Sequence, residues 1–333
     1  MRRVILLLIG VGLLVFLVVY LGTEQIAVML KAVGWGFVGI VLLSGAHQLA
    51  RAAALWACVP RGHAVSYLDA VLIRLSGEAV RFLTFTGPFL AEPTKAWLFK
   101  VRGLTVIEGF AATVTEYVAY TLLSATMAMT AVTYLLLRSD LGPEVAAFSI
   151  LIATLLGAGM IAAIVTLARG AHPIAGIVRV LAGLPLLRGR WQPNIESIRQ
   201  VECRLQRAIL ERPGAIAWVL AIEVTAQAFL VGEAYWILRT LDLSTGPQVP
   251  FIIEGGAKMS AAFSAIPAQV GAAEAMYAVL FDALGLPAAA GVTMAFVRRL
   301  RTLLVAGAGL LALSTLLGTR SLTSRPGDHR FIG

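Results

Sequence analysis

Between Glu254 and Leu286 the chain reads EGGAKMSAAFSAIPAQVGAAEAMYAVLFDALGL, too broken for a spanning helix and too apolar for a loop in water. A helix that crosses a bilayer needs about 20 predominantly apolar residues. Here Glu254, Gly255, Gly256 and Lys258 come first, and Pro267, Gly271 and Glu274 follow. Backbone freed by Pro267 and Gly271 cannot face lipid unsatisfied, so the segment has to be buried among other helices or line a water-filled cavity. Two half-helices are expected, in the arrangement that builds substrate sites at membrane depth.

The rest of the chain reads as the frame for that segment. Of its 333 residues 59% are hydrophobic and 14% charged, the balance of an all-α polytopic membrane protein rather than a soluble enzyme. Apolar runs near 4–21, 33–57, 106–136, 145–168, 214–240 and 288–318 give about six spanning helices. A second interrupted stretch covers 67–103. The formal net charge is +9, but most of the arginines flank apolar spans, where the positive-inside rule accounts for them, so no nucleic-acid partner is expected. Met1, Arg2 and Arg3 before Val4 to Leu21 have the form of a signal peptide. No small-residue cleavage site follows, so an uncleaved first helix is expected. Cys58 and Cys203 form no C-x-x-C and no disulfide framework.

The connection 169–212 carries Arg169, Arg179, Arg188, Arg190, Arg199, Arg204, Arg207 and Arg212, which assigns it to the cytoplasmic side of a cell (inner) membrane. Ile198, Val201, Leu205 and Ile209 recur at helical spacing opposite Arg199, Glu202 and Arg207, so an interfacial amphipathic helix with affinity for anionic lipid headgroups is expected. An ordinary solvated linker is the alternative. Threading from this loop puts both termini inside and 22–31, 138–144 and 241–248 outside. The topology closes only if both interrupted stretches re-enter, 67–103 from the cytoplasm and 249–286 from outside.

A weak internal repeat supports that opposition. Gly77 and Pro88 map onto Gly256 and Pro267 at an offset of 179 (256 − 77, 267 − 88). After a three-residue insertion, Glu92, Ala96, Leu98, Gly103, Leu104 and Gly109 map onto Glu274, Ala278, Leu280, Gly285, Leu286 and Gly291 at 182 (274 − 92). Similar segments of opposite topology are the mark of an inverted repeat, which puts a site near the midplane where the units meet. The chain thus reads as one integral domain over 1–333. It divides into an N-terminal helix pair (1–66), a first unit (67–168), the basic loop (169–212), a second unit (213–318) and a tail (319–333).

Charges inside a membrane cost about 2.5–3.5 kcal/mol each at a helix centre on insertion scales, so they default to functional candidates. Arg74, Glu78 and Arg81 share one helix face, where Glu78 can pair with either arginine. Glu92 and Lys95 follow Pro88 near a helix start, where unpaired N–H groups favour a phosphate or carboxylate. Glu254, Lys258 and Glu274 belong to the second stretch, and the helices that follow add Glu116 and then Arg298, Arg299 and Arg301. The offset makes Glu116 the counterpart of Arg298, and the two opposite charges are expected to approach each other. A structural ion pair is the alternative, as is snorkelling of the arginines to the interface. His47 and Arg51 share a face of the second span. Glu108, Glu223 and Glu233 are either proton-coupling carboxylates or interfacial residues.

Other chemistry is absent. Gly157-Ala-Gly159-Met-Ile-Ala162 and Gly307-Ala-Gly309-Leu-Leu-Ala312 spell a dinucleotide fingerprint, but no strand precedes them and both lie in apolar spans, so they read as helix-packing faces. There is no P-loop, H-E-x-x-H, G-x-S-x-G or metal-spaced Cys/His cluster, which implies no cofactor and speaks against an enzyme or an ATP-driven pump.

Ser76-Gly-Glu78-Ala, Thr86-Gly-Pro88-Phe-Leu-Ala-Glu92-Pro-Thr-Lys95-Ala-Trp, Ala265-Ile-Pro267-Ala-Gln-Val-Gly271-Ala-Ala-Glu274 and Leu284-Gly-Leu-Pro287 resemble the lysylphosphatidylglycerol synthase transmembrane (flippase-like) family over most of the chain. Its members include the membrane half of lipid-aminoacylating synthase-flippases and stand-alone proteins tied to hopanoid or other isoprenoid-lipid pathways. The resemblance implies lipid translocation between leaflets, with Glu92, Pro267, Gly271, Glu274 and Glu116 at family positions. Where relatives often show an arginine after that last glutamate, this chain has Tyr117. About fifteen residues follow the last span, so no aminoacyl-transferring domain and no synthase activity are expected. The residues therefore predict a lipid transporter with a headgroup-sized midplane cavity. Lys95, Lys258 and Arg298 would contact an anion, with Glu92, Glu116 and Glu274 orienting them or exchanging protons. Homo-oligomers or lipid-synthesis enzymes are the candidate protein partners, and an intramembrane transferase and an accessory subunit are the rival functions.

Overall fold

A computed structural model describes residues 33–84, 88–138, 142–172, 175, 176, 178, 194–211, 213–259 and 272–323. The expected first helix, the hairpin tips with Pro267 and Gly271, and Arg179, Arg188, Arg190, Arg325 and Arg330 lie outside the described residues. Every regular element within them is a helix: α1 (Gly36–Ala57), α2 (Tyr67–Leu83), α3 (Pro88–Val101), α4 (Val106–Arg138), α5 (Pro143–Ala168), α6 (Ile195–Glu211), α7 (Pro213–Thr240), α8 (Gln248–Ala257), α9 (Ala272–Ala283) and α10 (Ala288–Thr323). Among them α1, α4, α7 and α10 are long and apolar enough to cross a membrane. Apolar side chains such as Trp35, Leu42, Leu155 and Leu311 stand exposed on the outer faces, the reverse of a water-soluble surface and the form expected where lipid is the solvent.

The first interrupted stretch breaks on either side of 85–87, where α2 ends at Leu83 and α3 begins at Pro88. Pro88, which has no N–H to donate, opens α3. At ~1.5 Å per residue the described parts of α2 and α3 reach roughly 25 and 21 Å, and those of α8 and α9 roughly 15 and 18 Å, against a ~30 Å hydrocarbon core. The first pair is a hairpin closed at its root, where Arg102 just past α3 meets Asp69 in the first turn of α2 at 2.9 Å. Two capping boxes fix the same end. Asp69 N–H donates to Ser66 Oγ and Ser66 N–H to Asp69 Oδ2, both 3.1 Å, while Thr105 N–H donates to Glu108 Oε2 at 3.0 Å and Glu108 N–H to Thr105 Oγ1 at 3.2 Å. Glu108 therefore caps the start of α4, with Arg204 of α6 3.3 Å away.

The correspondence at offset 182 holds in backbone geometry. α3 and α9 each end in a left-handed glycine, Gly103 (φ 96°) and Gly285 (φ 71°). Leu104 N–H then reaches back to Phe99 O (3.2 Å) and Leu286 N–H to Phe281 O (2.9 Å), so both helices close in the same motif. Gly109 lets α4 pack on the backbone of α3 beside Phe99, and Gly291 lets α10 pack on α9 beside Phe281. Packing between the units is reciprocal, since α2 lies along α10 and α8 along α4, while α1 and α7 form a long antiparallel seam. Across that seam His47 Nδ1 donates to Ala226 O at 2.9 Å, a separation of 179 residues. His47 thus touches its own repeat counterpart, which only residues near a pseudo-two-fold axis can do.

The two hairpins are rooted at opposite ends. Leu55, Val65, Ile73, Leu98, Leu104 and Leu316 pack around the root of α2/α3, whereas Ile40, Leu135, Leu238, Ile252, Phe281 and Met294 pack around that of α8/α9. The small-residue faces are only half used: Gly309 packs against α2 and Gly157 against Met129, but nothing approaches Gly159 or Gly307. α6 is amphipathic, with Leu205 buried, and it differs from expectation at Glu202. That side chain is buried rather than on the polar face, because it accepts from Ala175 N–H at 3.3 Å beside His172.

Candidate functional site

Glu116, about a third of the way along the 33-residue α4 and wholly buried, is the centre of a first charge network. Its Oε1 accepts from Arg51 of α1 and, at 3.1 Å, from Arg74 of α2. Its Oε2 lies 3.5 Å from Lys95 Nζ of α3. Lys95 reaches inward because Gly77 of α2 leaves room, since a Cβ there would stand 2.7 Å from the lysine stem. Outer partners complete the set: Glu92 on Lys95 (2.8 Å), Glu78 between Arg74 and Arg81 (2.6 Å each) and Glu223 of α7 on Arg51 (3.3 Å).

Arg298 of α10 centres the second network. Its Nη1 donates to Glu254 of α8 and to Tyr277 Oη of α9, both at 2.7 Å. Nη2 reaches Leu230 O at 3.4 Å, and Nε lies 3.3 Å from Glu233 of α7. Lys258 pairs with Glu254 (2.6 Å), Arg301 with Glu233 (2.8 Å) and Arg299 with Glu274.

The two centres occupy equivalent places with the sign reversed. Residues 116 and 298 differ by 182, as do Lys95 and Tyr277, the α3 and α9 side chains that touch them. An anion ringed by cations in one unit is answered by a cation ringed by acceptors in the other. Tyr120, one turn past Glu116, joins them, with the Arg51 guanidinium 3.7 Å from its ring centroid and Lys258 Nζ at 5.8 Å. The first network holds four cations (Arg51, Arg74, Arg81, Lys95) against four carboxylates (Glu78, Glu92, Glu116, Glu223). Among the described residues the second holds four (Lys258, Arg298, Arg299, Arg301) against three (Glu233, Glu254, Glu274), an excess of one positive charge among the pairs they form. The hairpin tips, Phe85-Thr-Gly87 and Ser260 to Gly271, contribute no ionisable side chain.

All twelve residues singled out from sequence fall in these networks. The expected approach of Glu116 to Arg298 does not occur: each is enclosed by its own hairpin and by α1 or α7, whose side chains satisfy it first. Snorkelling is also excluded, since Arg298 and Arg299 are buried. Arg51, Glu223 and Glu233 turn out to be network members, and the lack of an arginine at Tyr117 is immaterial to an arrangement that draws Arg51 from α1. Tyr120 and Tyr277 were missed. Their signals were present, Tyr120 one turn from Glu116 and Tyr277 at the repeat offset from Lys95.

Two surface recesses lie away from the networks. One, of about 490 Å³, lies between α4 and α5 and is lined by Thr126, Met129, Tyr134 and Met160. The other, of about 460 Å³, runs along α6 beside Arg199, Arg204 and Arg207. Among the described residues no group of three His, Cys, Asp or Glu side chains is placed to hold a metal ion.

A family model described as the lysylphosphatidylglycerol synthase TM region matches residues 4–309. No match was found among curated proteins or among solved structures.

Proposed function

The chain belongs to the lysylphosphatidylglycerol synthase transmembrane family, a family of membrane lipid handling, and from that membership we propose a non-catalytic transporter that moves an anionic or polar-headgroup phospho- or isoprenoid lipid between leaflets. The observation that carries the reading is the pair of interrupted helix pairs rooted at opposite ends, holding charge networks of reversed sign about one axis. A unit and its inverted copy give two conformations related by exchange of their hairpin geometries, as alternating access about a midplane site requires. The excess cation of the second network favours an anionic headgroup, with Lys258 and Arg298 as its first contacts and Lys95 the corresponding contact in the first. Glu92, Glu116 and Glu274 would hold these cations in place. The tails of the lipid would remain in the bilayer, and the arginines beside α6 would dock on anionic headgroups at the cytoplasmic surface. In this reading the protein lies in the cell membrane with both termini cytoplasmic.

The test is translocation of fluorescent phosphatidylglycerol in proteoliposomes. Lys258→Gln and Arg298→Gln should each lower the rate at least tenfold while the proteins still elute as folded particles; unaltered rates in folded variants would sink the reading. Re-entry has its own measurement, cysteine labelling from each side after removal of Cys58 and Cys203. Single cysteines at Ser66 and Thr105 should label from the cytoplasm and at Gln248 and Leu286 from outside. Flanks of one stretch labelling from opposite sides would make it a crossing helix.

A further inference from the structure

The buried face of α7 carries more polar groups than the ion pairs use. Glu223, Gln227, Leu230 and Ala234 recur along it at helical spacing, with Glu233 beside them, and Glu223 and Glu233 have no exposed surface while Gln227 keeps 3%. Glu223 Oε2, both amide atoms of Gln227 and, on the facing α1, Ser44 Oγ find no hydrogen-bond partner among the described residues, and Glu233 Oε1 makes no hydrogen bond beyond its ion pair with Arg298 Nε at 3.3 Å. Buried polar atoms are almost always satisfied, and a row of them in one seam is satisfied by ordered water. The row also has ends. Glu223 belongs to the first network through Arg51, and Glu233 belongs to the second through Arg298 and Arg301. Midway stands His47. A carbonyl can only accept, so its bond to Ala226 O places the proton of the neutral ring on Nδ1 and leaves Nε2 free to take another.

We propose that the α1/α7 seam is a proton path through Glu223, Gln227, Ser44 and His47 to Glu233, and that protonation of Glu223 drives the transport cycle. As a driving force it rests on the transport reading; as a proton path it does not. The step is a proton transfer. A hydronium ion entering from bulk water gives its proton to the free Oε2 of Glu223, the carboxylate becomes neutral and a water molecule is left. Arg51, shared until then between Glu223 and Glu116, is left to Glu116 alone, so the tie between α7 and the first hairpin loosens. The titratable and charged groups around Glu223 are Arg51 from α1 and Cys58 just past it, Glu116 from α4 and Arg74 from α2 beyond Glu116, with His47 one turn from Arg51 on α1 and the Tyr120 ring against the Arg51 guanidinium. On α6, which touches α7 near its start, Arg204 is turned to Glu108 and Glu202 to Ala175. On α8, Glu254 and Lys258 belong to the second network. Glu223 can titrate without stranding a cation, because Arg51 keeps Glu116; Glu92 shares that property through Lys95, but Glu223 alone of the two lies on the α1/α7 seam.

Two readouts test this separately. Infrared difference spectra across a pH titration should show a buried carboxyl band in the unaltered protein that Glu223→Gln removes. Phosphatidylglycerol translocation should change at least tenfold when an imposed pH gradient is reversed, and Glu223→Gln should abolish that dependence. Gln227→Leu, which removes no charge, should keep the band but lose most of the gradient response. A titration with no band assignable to Glu223 overturns the proposal whatever the transport result. A band with gradient-insensitive translocation overturns the coupling, as does a full gradient response in Gln227→Leu. A band with no translocation at all overturns the transport reading and leaves the proton path standing.

Discussion

Replacing Glu116 with alanine is expected to cost about 3–5 kcal/mol of stability, the range for stripping one partner from a buried ion pair. Few other side chains here should have so large an effect. Arg51, Arg74 and Lys95 converge on this carboxylate from three helices, and without it three cations face one another with only Glu78, Glu92 and Glu223 at their outer sides. The measurement is denaturant unfolding in detergent micelles, with Arg81→Ala as the control. Arg81 has half its side chain exposed and pairs with Glu78 alone, so its loss should cost no more than about 1 kcal/mol. Equal losses for the two variants would mean that the first network is not organised around Glu116.

Gly309→Leu should be nearly as damaging for a different reason. A Cβ at Gly309 would stand inside contact distance of the Leu75 carbonyl and 2.8 Å from Ala79 Cβ, so α2 and α10 would have to separate along their whole contact. Overpacking of this kind costs about 1–3 kcal/mol and more where backbone, rather than a movable side chain, is in the way. The second unit repeats the crossing with the glycine on the other partner: a Cβ at Gly255 of α8 would stand 2.5 Å from the Met127 carbonyl oxygen of α4, and Met127 is the counterpart of Gly309 (309 − 127 = 182). Gly255→Leu should therefore fail in the same way. Gly307→Leu is the control, because nothing lies within 4 Å of its Cβ position, and its helix should lose nothing by exchanging glycine for leucine. Comparable folded yields for Gly307→Leu and Gly309→Leu would overturn the close-crossing argument.

Much of this was legible before the structure because it follows from local rules. Pro88 and Gly103 delimit α3 whatever surrounds it, since one residue lacks an N–H and the other admits a left-handed backbone. The charges at Arg74, Glu78, Lys95, Glu116, Lys258 and Arg298 were candidates from their position in apolar sequence alone, because a bilayer penalises every unpaired charge. Which charge meets which was not legible. Pairing depends on helix rotation and crossing, and sequence spacing constrains neither between segments far apart in the chain. The expectation for Glu116 and Arg298 failed for that reason: the repeat offset relates two positions by symmetry, and residues related by a two-fold axis meet only if they lie on it. His47 and Ala226 do; Glu116 and Arg298 do not.

By itself, then, the sequence determined an all-helical membrane chain, its two broken stretches and the set of charges that had to be reconciled with lipid, since hydropathy, proline and glycine act over a few residues. The tertiary structure alone decided that Arg51, Glu223 and Glu233 complete two networks of opposite sign, and that Tyr120 stands between them. It also left a seam of unsatisfied polar atoms along α7. Those are properties of helix faces brought together across long stretches of chain, 172 residues for Arg51 with Glu223 and 179 for His47 with Ala226, and only packing chooses the faces.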